Sequence, residues 1–575
     1  MDEIEMRRQL SEVALGNLPA DLVITHGRLF NVYTREFIPD QAVWVKNGWI
    51  AYVGPDHDPP KDKDTQFIDS KDMVLLPGLI DGHTHLTASK TLVDEFVKHV
   101  IPTGTTTVIT ETIELGSVVG KDGIEWFVRG LNGQPIRFFY TVPPLCGLTP
   151  IEETVAPSNE ALVPFLKDPK CLGIGEIYWS NLFLKGIQSE RVLGLVSMTH
   201  ASEKRVEGHT AGASGKKLQA YTCFGVSSCH EPISEKEVLE RLRLGYWVMI
   251  REGSVRQELT AIRGIFDKKL DFRRLTLCTD SVNPIDLIEK GYLDASLRKA
   301  LKLGVPPELA YQMVTLNVAE HFHLDHLIGG LAPGKMADIV ISPSPEEYSP
   351  RLIMAEGRVI FKEGKTLAKP RKPTFPDTLF DTVKIGSYTF PPIPSTGKVR
   401  AVDLVTGLVT EETIADLDKA DDSKDLIFAL AIDRSGSGKA FLGFLRGFGL
   451  KKGAIGSTMA WDTRDMIAVG KDLPSLKAVI ERVKEIGGGI VFAEGNEIVA
   501  ELPARVCGIL STKTMEETRQ EMKQLENVLK ENGVPWENPL LTLDTLTGCA
   551  IPHLRITHHG YVRMKDRQVL SWKVP

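Results

Sequence analysis

Short apolar, β-branched runs separated by polar turns set the first part of the chain apart. Leu22-Val23-Ile24, Ala42-Val43-Trp44-Val45 and Trp49-Ile50-Ala51-Tyr52-Val53 each predict a strand. Asn47-Gly48 between the last two predicts a hairpin turn, because both positions tolerate positive φ. Residues 1–76 are expected to form a small β domain. From 77 to 330 the pattern changes to apolar strands alternating with helical segments, the mark of parallel βα units. Thr105 to Thr110 predicts one such strand, and Ser234-Glu235-Lys236-Glu237 has the capping-box form that opens a helix stopping at Gly245. Tyr246 to Ile250 predicts the next strand. A span of about 250 residues suits a (β/α)₈ barrel. A doubly wound sheet is the alternative, and no dinucleotide-type glycine motif supports it.

Residues 331–368 return to β character, with Ala337-Asp338-Ile339-Val340-Ile341 and Arg358-Val359-Ile360-Phe361, and are expected to complete the N-terminal β domain. The Pro-rich stretch 369–397, with Lys369 to Pro376 and Pro391-Pro392-Ile393-Pro394, reads as a linker. Residues 398–575 then form a further α/β unit. The expected fold is α/β, a (β/α)₈ barrel with a small β domain built from both flanks and an extra C-terminal α/β domain.

At 575 residues the chain is too long for one core, and a prior of about three or four domains agrees with these divisions. Its 42% hydrophobic and 25% charged residues are ordinary for a globular protein. A formal net charge of −7 offers nothing to nucleic acid or an anionic membrane, so neither is an expected partner. Lys451-Lys452 reads as a solvated edge. No apolar stretch approaches the ~18–20 residues that span a bilayer. The N-terminus, Met1-Asp2-Glu3-Ile4-Glu5, is acidic and lacks a signal-peptide core. Seven scattered cysteines, Cys146 among them, form no CxxC pair and suggest reduced thiols. A cytoplasmic enzyme is expected, with a homo-oligomer as the default assembly.

Pro77-Gly78-Leu79-Ile80-Asp81-Gly82-His83-Thr84-His85 carries the sharpest chemistry. Leu79 and Ile80 continue a buried strand, and period-2 alternation puts His83 and His85 on one face. Two imidazoles at the C-terminal end of a barrel strand are placed to hold a divalent metal. The bland alternative is a pair of surface histidines on a turn, which the apolar run before them disfavours.

This run resembles the first-strand motif of the amidohydrolase superfamily. Gly175-Glu176, Gly208-His209, Ser228-Cys229-His230-Glu231 and Leu277-Cys278-Thr279-Asp280 fall where that family's later strands end. Val248 to Ser254, Ala332 to Asp338 and Gly447-Phe448-Gly449-Leu450-Lys451 extend the similarity to the bacterial adenine deaminase family over nearly the whole chain. The resemblance implies two divalent ions, manganese, iron or zinc. His83 and His85 would bind the more buried one, His209 and His230 the second, with Glu176 bridging. Asp280 would ligate a metal and handle the proton of the bridging water, and Glu231 would serve as a second proton carrier or ring-nitrogen partner. The reading of Glu231 that needs no catalysis is a carboxylate at a helix N-terminus, favoured by the helix dipole. Two cations sharing a water lower its pKa toward neutrality, which suits hydrolytic removal of an amino group from a heterocycle.

The similarity breaks around the substrate. Thr87-Ala88-Ser89 replaces a Glu-Ser-Ser, Thr210 to Ser214 replaces Ala-Pro-Gly-Leu-Ser, and Cys229 replaces an aspartate. Ser281 and Asn283 stand where the family has an aspartate and a histidine, and Trp461-Asp462-Thr463-Arg464-Asp465 replaces His-Asp-Ser-His-Asn. Ser281, Asn283, Trp461 and Arg464 are therefore candidate substrate-binding residues, and they predict poor handling of adenine and a preference for a related heterocycle. Three readings stand: an adenine deaminase; an amidohydrolase acting on another nitrogen heterocycle or a cyclic amide; and a silent barrel scaffold, which the intact ligand set disfavours. Ser435-Gly436-Ser437-Gly438-Lys439 is no phosphate loop, because Asp433 and Ala440 break the pattern. His321-Phe322-His323 is expected at the surface of a helix, and His558-His559 is expected to be exposed.

Overall fold

The computed structural model describes residues 2–574 except 56–57, 145–146, 150–152, 154–155, 185, 420–424 and 552, so Cys146 lies outside the described residues. Both flanks of the barrel meet in one nine-stranded sheet. Leu22–Asn31, Glu36–Lys46, Trp49–Pro55, Gln66–Asp69 and Val74–Pro77 come from the first flank. Ile339–Ser342, Leu352–Ala355, Arg358–Lys362 and Lys365–Thr366 come from the second. The join is antiparallel, with Leu76 opposite Val340. At the hairpin, Asn47 and Gly48 both take positive φ, 51° and 83°. Gly48 is also sterically required, since a Cβ there would meet the Glu356 carbonyl oxygen at 2.7 Å.

Eight parallel strands make the barrel. Leu79–Thr84, Thr105–Thr110, Arg137–Val142, Cys171–Tyr178 and Arg205–His209 pair in succession. Ser228–Cys229, Trp247–Arg251 and Leu275–Cys278 form the remaining three. Two seams close the ring. At one, the His85 amide donates to the Asp280 carbonyl at 2.7 Å and the Asp280 amide to the His83 carbonyl at 3.0 Å. At the other, Ser227 N donates to the Val206 carbonyl at 3.1 Å. Val108, Ile174, Val206 and Leu275 are at most 1% exposed, and full burial of each such side chain contributes about 1.5–3 kcal/mol. The helix Glu235–Arg243 begins at Ser234, whose hydroxyl accepts from Glu237 N at 3.4 Å. The reciprocal bond expected of a capping box runs instead from Ile233 N to Glu237, at 2.8 Å. A complete capping box occurs at Thr514 and Glu517, ahead of the helix Met515–Glu531.

Two expectations are corrected here. His321 ends the helix Leu316–His321 but is wholly buried, with Nε2 2.9 Å from both oxygens of Glu207. Burial works to raise the Glu207 carboxyl, and His321 overcomes it and draws the group below its usual range. His321 packs inward against Glu207 of the barrel strand Arg205–His209, while His323, past the end of the helix, stays exposed. His558, also expected at the surface, has a side chain only 7% exposed and pairs with buried Asp465 at 2.7 Å.

The C-terminal residues build an eight-stranded sheet from Lys398–Leu404 to Glu497–Pro503, with the helices Leu473–Ile486 and Met515–Glu531. A three-stranded meander, Leu554–Thr557, Gly560–Arg563 and Gln568–Leu570, follows. This unit sits over the barrel mouth. Ser511 N donates to the Lys90 carbonyl at 2.7 Å, Lys90 Nζ pairs with Asp544 at 3.1 Å, and Arg567 reaches Asn181 at 2.7 Å. The Pro-rich stretch runs along the barrel helix Lys121–Leu131, where Trp126 stacks on Phe375 and donates to the Thr374 carbonyl at 2.9 Å.

Candidate metal centre

The barrel strands deliver their C-terminal ends to one point. His83 and His85 come from the end of the first strand, Glu176 from the fourth, His209 from the fifth, His230 from just beyond the sixth, and Asp280 from just beyond the eighth. None of these six side chains is more than 8% exposed. Three overlapping triplets, His83/His230/Asp280, His83/His85/Glu176 and Glu176/His209/His230, bring their donor atoms within 4.8 Å of one another.

The contacts are close but poorly directed for hydrogen bonds. His230 Nε2 lies 2.6 Å from Glu176 Oε2, and His83 Nε2 lies 3.3 Å from Asp280 Oδ1. Yet Glu176 Oε2 and His83 Nε2 are buried without a hydrogen-bond partner. Atoms aimed at a shared centre behave this way, and imidazole with carboxylate suits a divalent transition metal. The donor set therefore fits the cations the sequence implies.

The electrostatics differ from one side chain to the next. Burial would raise the Asp280 carboxyl, but His83 and the Arg251 guanidinium overcome it and hold it well below the usual carboxylate range. Burial drives the Glu176 carboxyl upward, against the pull of His85 and His83. Burial likewise pushes His209 and His230 down, leaving their lone pairs available to a metal. His85 goes the other way. Against burial, Glu114 raises it to about 10.

Several residues of the centre carried no separate signal in the sequence. Glu114 Oε1 sits 2.6 Å from His85 Nδ1 and Glu111 Oε1 3.3 Å from His83 Nδ1, so each imidazole is oriented by a buried carboxylate behind it. Arg251, at the end of the seventh strand, binds Glu231, Glu258 at 3.0 Å and Asp280 at 3.4 Å. Their common clue is position, since each lies at or just past a barrel strand's C-terminal end. Tyr178 and Asp462 also meet here, 3.1 Å apart, across the junction with the C-terminal unit.

The candidate residues around substrate divide. Glu231 lies four residues ahead of its helix, with Oε1 3.2 Å from His209 Nε2 and 3.4 Å from His230 Nε2, so it is not a helix-dipole carboxylate. Trp461 borders the cavity, its ring 5.7 Å from that of His85 at 21°. Ser281 donates to the Asp280 carbonyl at 2.7 Å, and Asn283 caps the helix Pro284–Glu289 by accepting from Asp286 N. Neither these two nor Arg464 is among the described residues lining the cavity, which measures about 100 Å³.

The sequence pattern of the amidohydrolase family matches residues 74–360, and that of the adenine deaminase C-terminal domain matches residues 404–568. The chain is 33% identical to an adenine deaminase of Archaeoglobus fulgidus, over 99% of this chain and 98% of that one. It is 32% identical to one of Desulfatibacillum aliphaticivorans, over 96% and 97%. Among solved structures, an adenosine deaminase from Xanthomonas campestris with bound zinc aligns with a TM-score of 0.45 and 15% identity, covering 61% of this chain and 95% of that chain.

Proposed function

For a chain that belongs to the adenine deaminase family of amidohydrolases, we propose hydrolysis of adenine to hypoxanthine and ammonia, with two divalent ions of manganese, iron or zinc at the barrel mouth. The family is metal-dependent. The observation that carries the reading is full-length identity to adenine deaminases, which includes the unit whose Trp461 and Asp462 wall the cavity.

His83, His85, Glu176, His209, His230 and Asp280 are the proposed ligands. When bound, the divalent ions supply Lewis-acid activation of water near neutral pH. The chain's own residues do the rest. Asp280, held ionised, accepts a proton from the attacking water and returns it to the leaving nitrogen. The water oxygen joins the ring carbon that bears the amino group, the carbon–nitrogen bond breaks, and ammonia leaves. Arg251 fixes Glu231 and Asp280 together, and Glu231 faces the ring as a proton carrier or ring-nitrogen partner. Trp461 and His85 offer near-parallel rings beside which a flat heterocycle can stack. Of the four candidate substrate residues only Trp461 lines the cavity, since Ser281 and Asn283 are committed to backbone groups and Arg464 lies off its wall, and adenine is the substrate proposed.

The test is ammonia release from adenine by metal-loaded protein, beside pterins and cyclic ureides as comparison substrates. A kcat/KM of about 10⁴ M⁻¹s⁻¹ or more is expected for adenine. Folded, metal-replete protein that releases no ammonia from it would overturn the proposal.

A further inference from the structure

The metal-ligand cavity, about 100 Å³, is bordered by larger clefts, and the residues it shares with each mark the routes by which a substrate can reach it. Beside it is an open cleft of about 560 Å³, and the two share only Val255, Arg256 and Leu408 among the described residues. Val255 and Arg256 lie in a turn past the seventh strand, closed by Gly253 N donating to the Arg256 carbonyl at 2.9 Å and by the Glu252–Gln257 bridge. Leu408 lies in a turn of the C-terminal sheet, closed by Val405 N donating to the Val409 carbonyl at 2.9 Å. Both turns are also anchored from outside, Ser254 N donating to the Ser281 carbonyl at 2.8 Å and Arg555 Nη2 to the Leu408 carbonyl at 3.2 Å, so the mouth between them has fixed sides. A second cleft shares Ala211, Ala550 and Ile551 with the cavity and presents only apolar side chains there.

The cations around the cavity are not equivalent. Arg251 is saturated by Glu231, Glu258 and Asp280 and has little left for a ligand. Arg256 is half-buried, and among the described residues its guanidinium makes no ion pair or hydrogen bond. A guanidinium is a planar donor fork that pairs with two acceptors on one edge of a ring. We propose that substrate passes between these two turns and that Arg256 is the binding residue at this mouth, donating to the acceptor edge of a neutral nitrogen heterocycle. The inference rests on the deaminase reading for the identity of that heterocycle.

Steady-state deamination of adenine and equilibrium binding of hypoxanthine, measured on metal-loaded wild type, Arg256→Ala, Arg256→Lys and Lys269→Ala, test it, with metal content determined for each. Arg256→Ala should raise KM about tenfold or more, the scale of one charge-assisted hydrogen bond, with kcat within about threefold and metal content unchanged. Hypoxanthine affinity should fall by the same factor, Arg256→Lys should recover part of it, and Lys269→Ala, exposed and away from both clefts, should match wild type. Leu408→Trp, which narrows the mouth, should lower kcat/KM without loss of metal. Active wild type with an Arg256→Ala variant of unchanged KM and hypoxanthine affinity overturns the inference alone, as does a defect confined to kcat or metal content. Wild type that neither deaminates adenine nor binds hypoxanthine defeats the deaminase reading and this inference with it.

Discussion

Removing the Lys90 ammonium probes how the C-terminal unit is fixed over the barrel. Lys90 Nζ lies 3.1 Å from Asp544 Oδ2, and the two side chains are 12% and 3% exposed. Taking one partner from a buried pair costs about 3–5 kcal/mol, because the other charge is left uncompensated. Asp544 has two forms of relief. Its second oxygen still accepts from Ser457 Oγ at 2.6 Å, and burial already pushes its carboxyl upward against the pull of Lys90. Without the ammonium the carboxyl rises further and takes up a proton more readily. Lys90→Met should therefore cost about 3 kcal/mol at pH 8, the low end of the range, and less at pH 5. The direction follows from linkage. A carboxyl whose pKa is higher in the folded than in the unfolded chain favours the fold at low pH and gives up that contribution as pH rises through the folded value. The assay is the midpoint of the first denaturant-induced transition at both pH values, since a chain of several units does not unfold in one step. Lys90→Met/Asp544→Asn, with a neutral amide in place of the carboxylate, should regain part of the loss and its pH dependence should flatten. Because Trp461 N donates to the Asp544 carbonyl at 3.0 Å, KM for adenine should rise in Lys90→Met as well. Wild-type stability at pH 8, or an equal deficit at both pH values, refutes the reasoning.

Other perturbations isolate other parts of the site. Asp280→Asn keeps the size but removes the proton acceptor, so turnover should fall about 10²–10⁴-fold with the thermal transition preserved; near-normal kcat on adenine would show that the proton travels elsewhere. Glu114→Gln removes the charge behind His85 and should weaken metal retention about 10–100-fold, with activity restored by excess metal; unchanged sensitivity to a chelator would count against it. His83→Ala and His209→Ala should each lower the metal found per chain by elemental analysis, and full occupancy in either would remove that residue from the ligand set. His321→Phe strands the buried Glu207 carboxylate and should cost about 3 kcal/mol in stability, read by thermal denaturation; a variant as stable as wild type would show that Glu207 protonates freely.

Where a residue's role depends on neighbours in the chain, the sequence was readable. The run Pro77 to His85 shows both its strand and its two imidazoles, because alternation along one strand decides what shares a face. Asn47-Gly48 shows its turn because the required φ values exclude most other pairs. Roles that depend on distant partners were not readable. Glu114 and Arg251 look like ordinary charges until the barrel closes and sets them beside His85 and Asp280. Lys90 and Asp544 are separated by more than 450 residues, and nothing local marks either as half of a pair. His321 reads as a surface residue for the same reason. Its partner, Glu207, belongs to a strand more than 100 residues earlier.

The sheet assembled from both flanks has a consequence in time. Val74–Pro77, buried at every position in the finished protein, pairs with Leu22–Asn31 on one side and Ile339–Ser342 on the other. On a ribosome the first partner precedes it, while the second arrives only after about 260 further residues, roughly 13–50 s of synthesis at ~5–20 residues/s. Throughout that interval an apolar strand edge stands unpaired while the barrel forms beside it, a state prone to association with other nascent chains. Expression at high ribosome loading should accordingly lose protein to aggregates seeded at this edge, and slower synthesis would lengthen the vulnerable period.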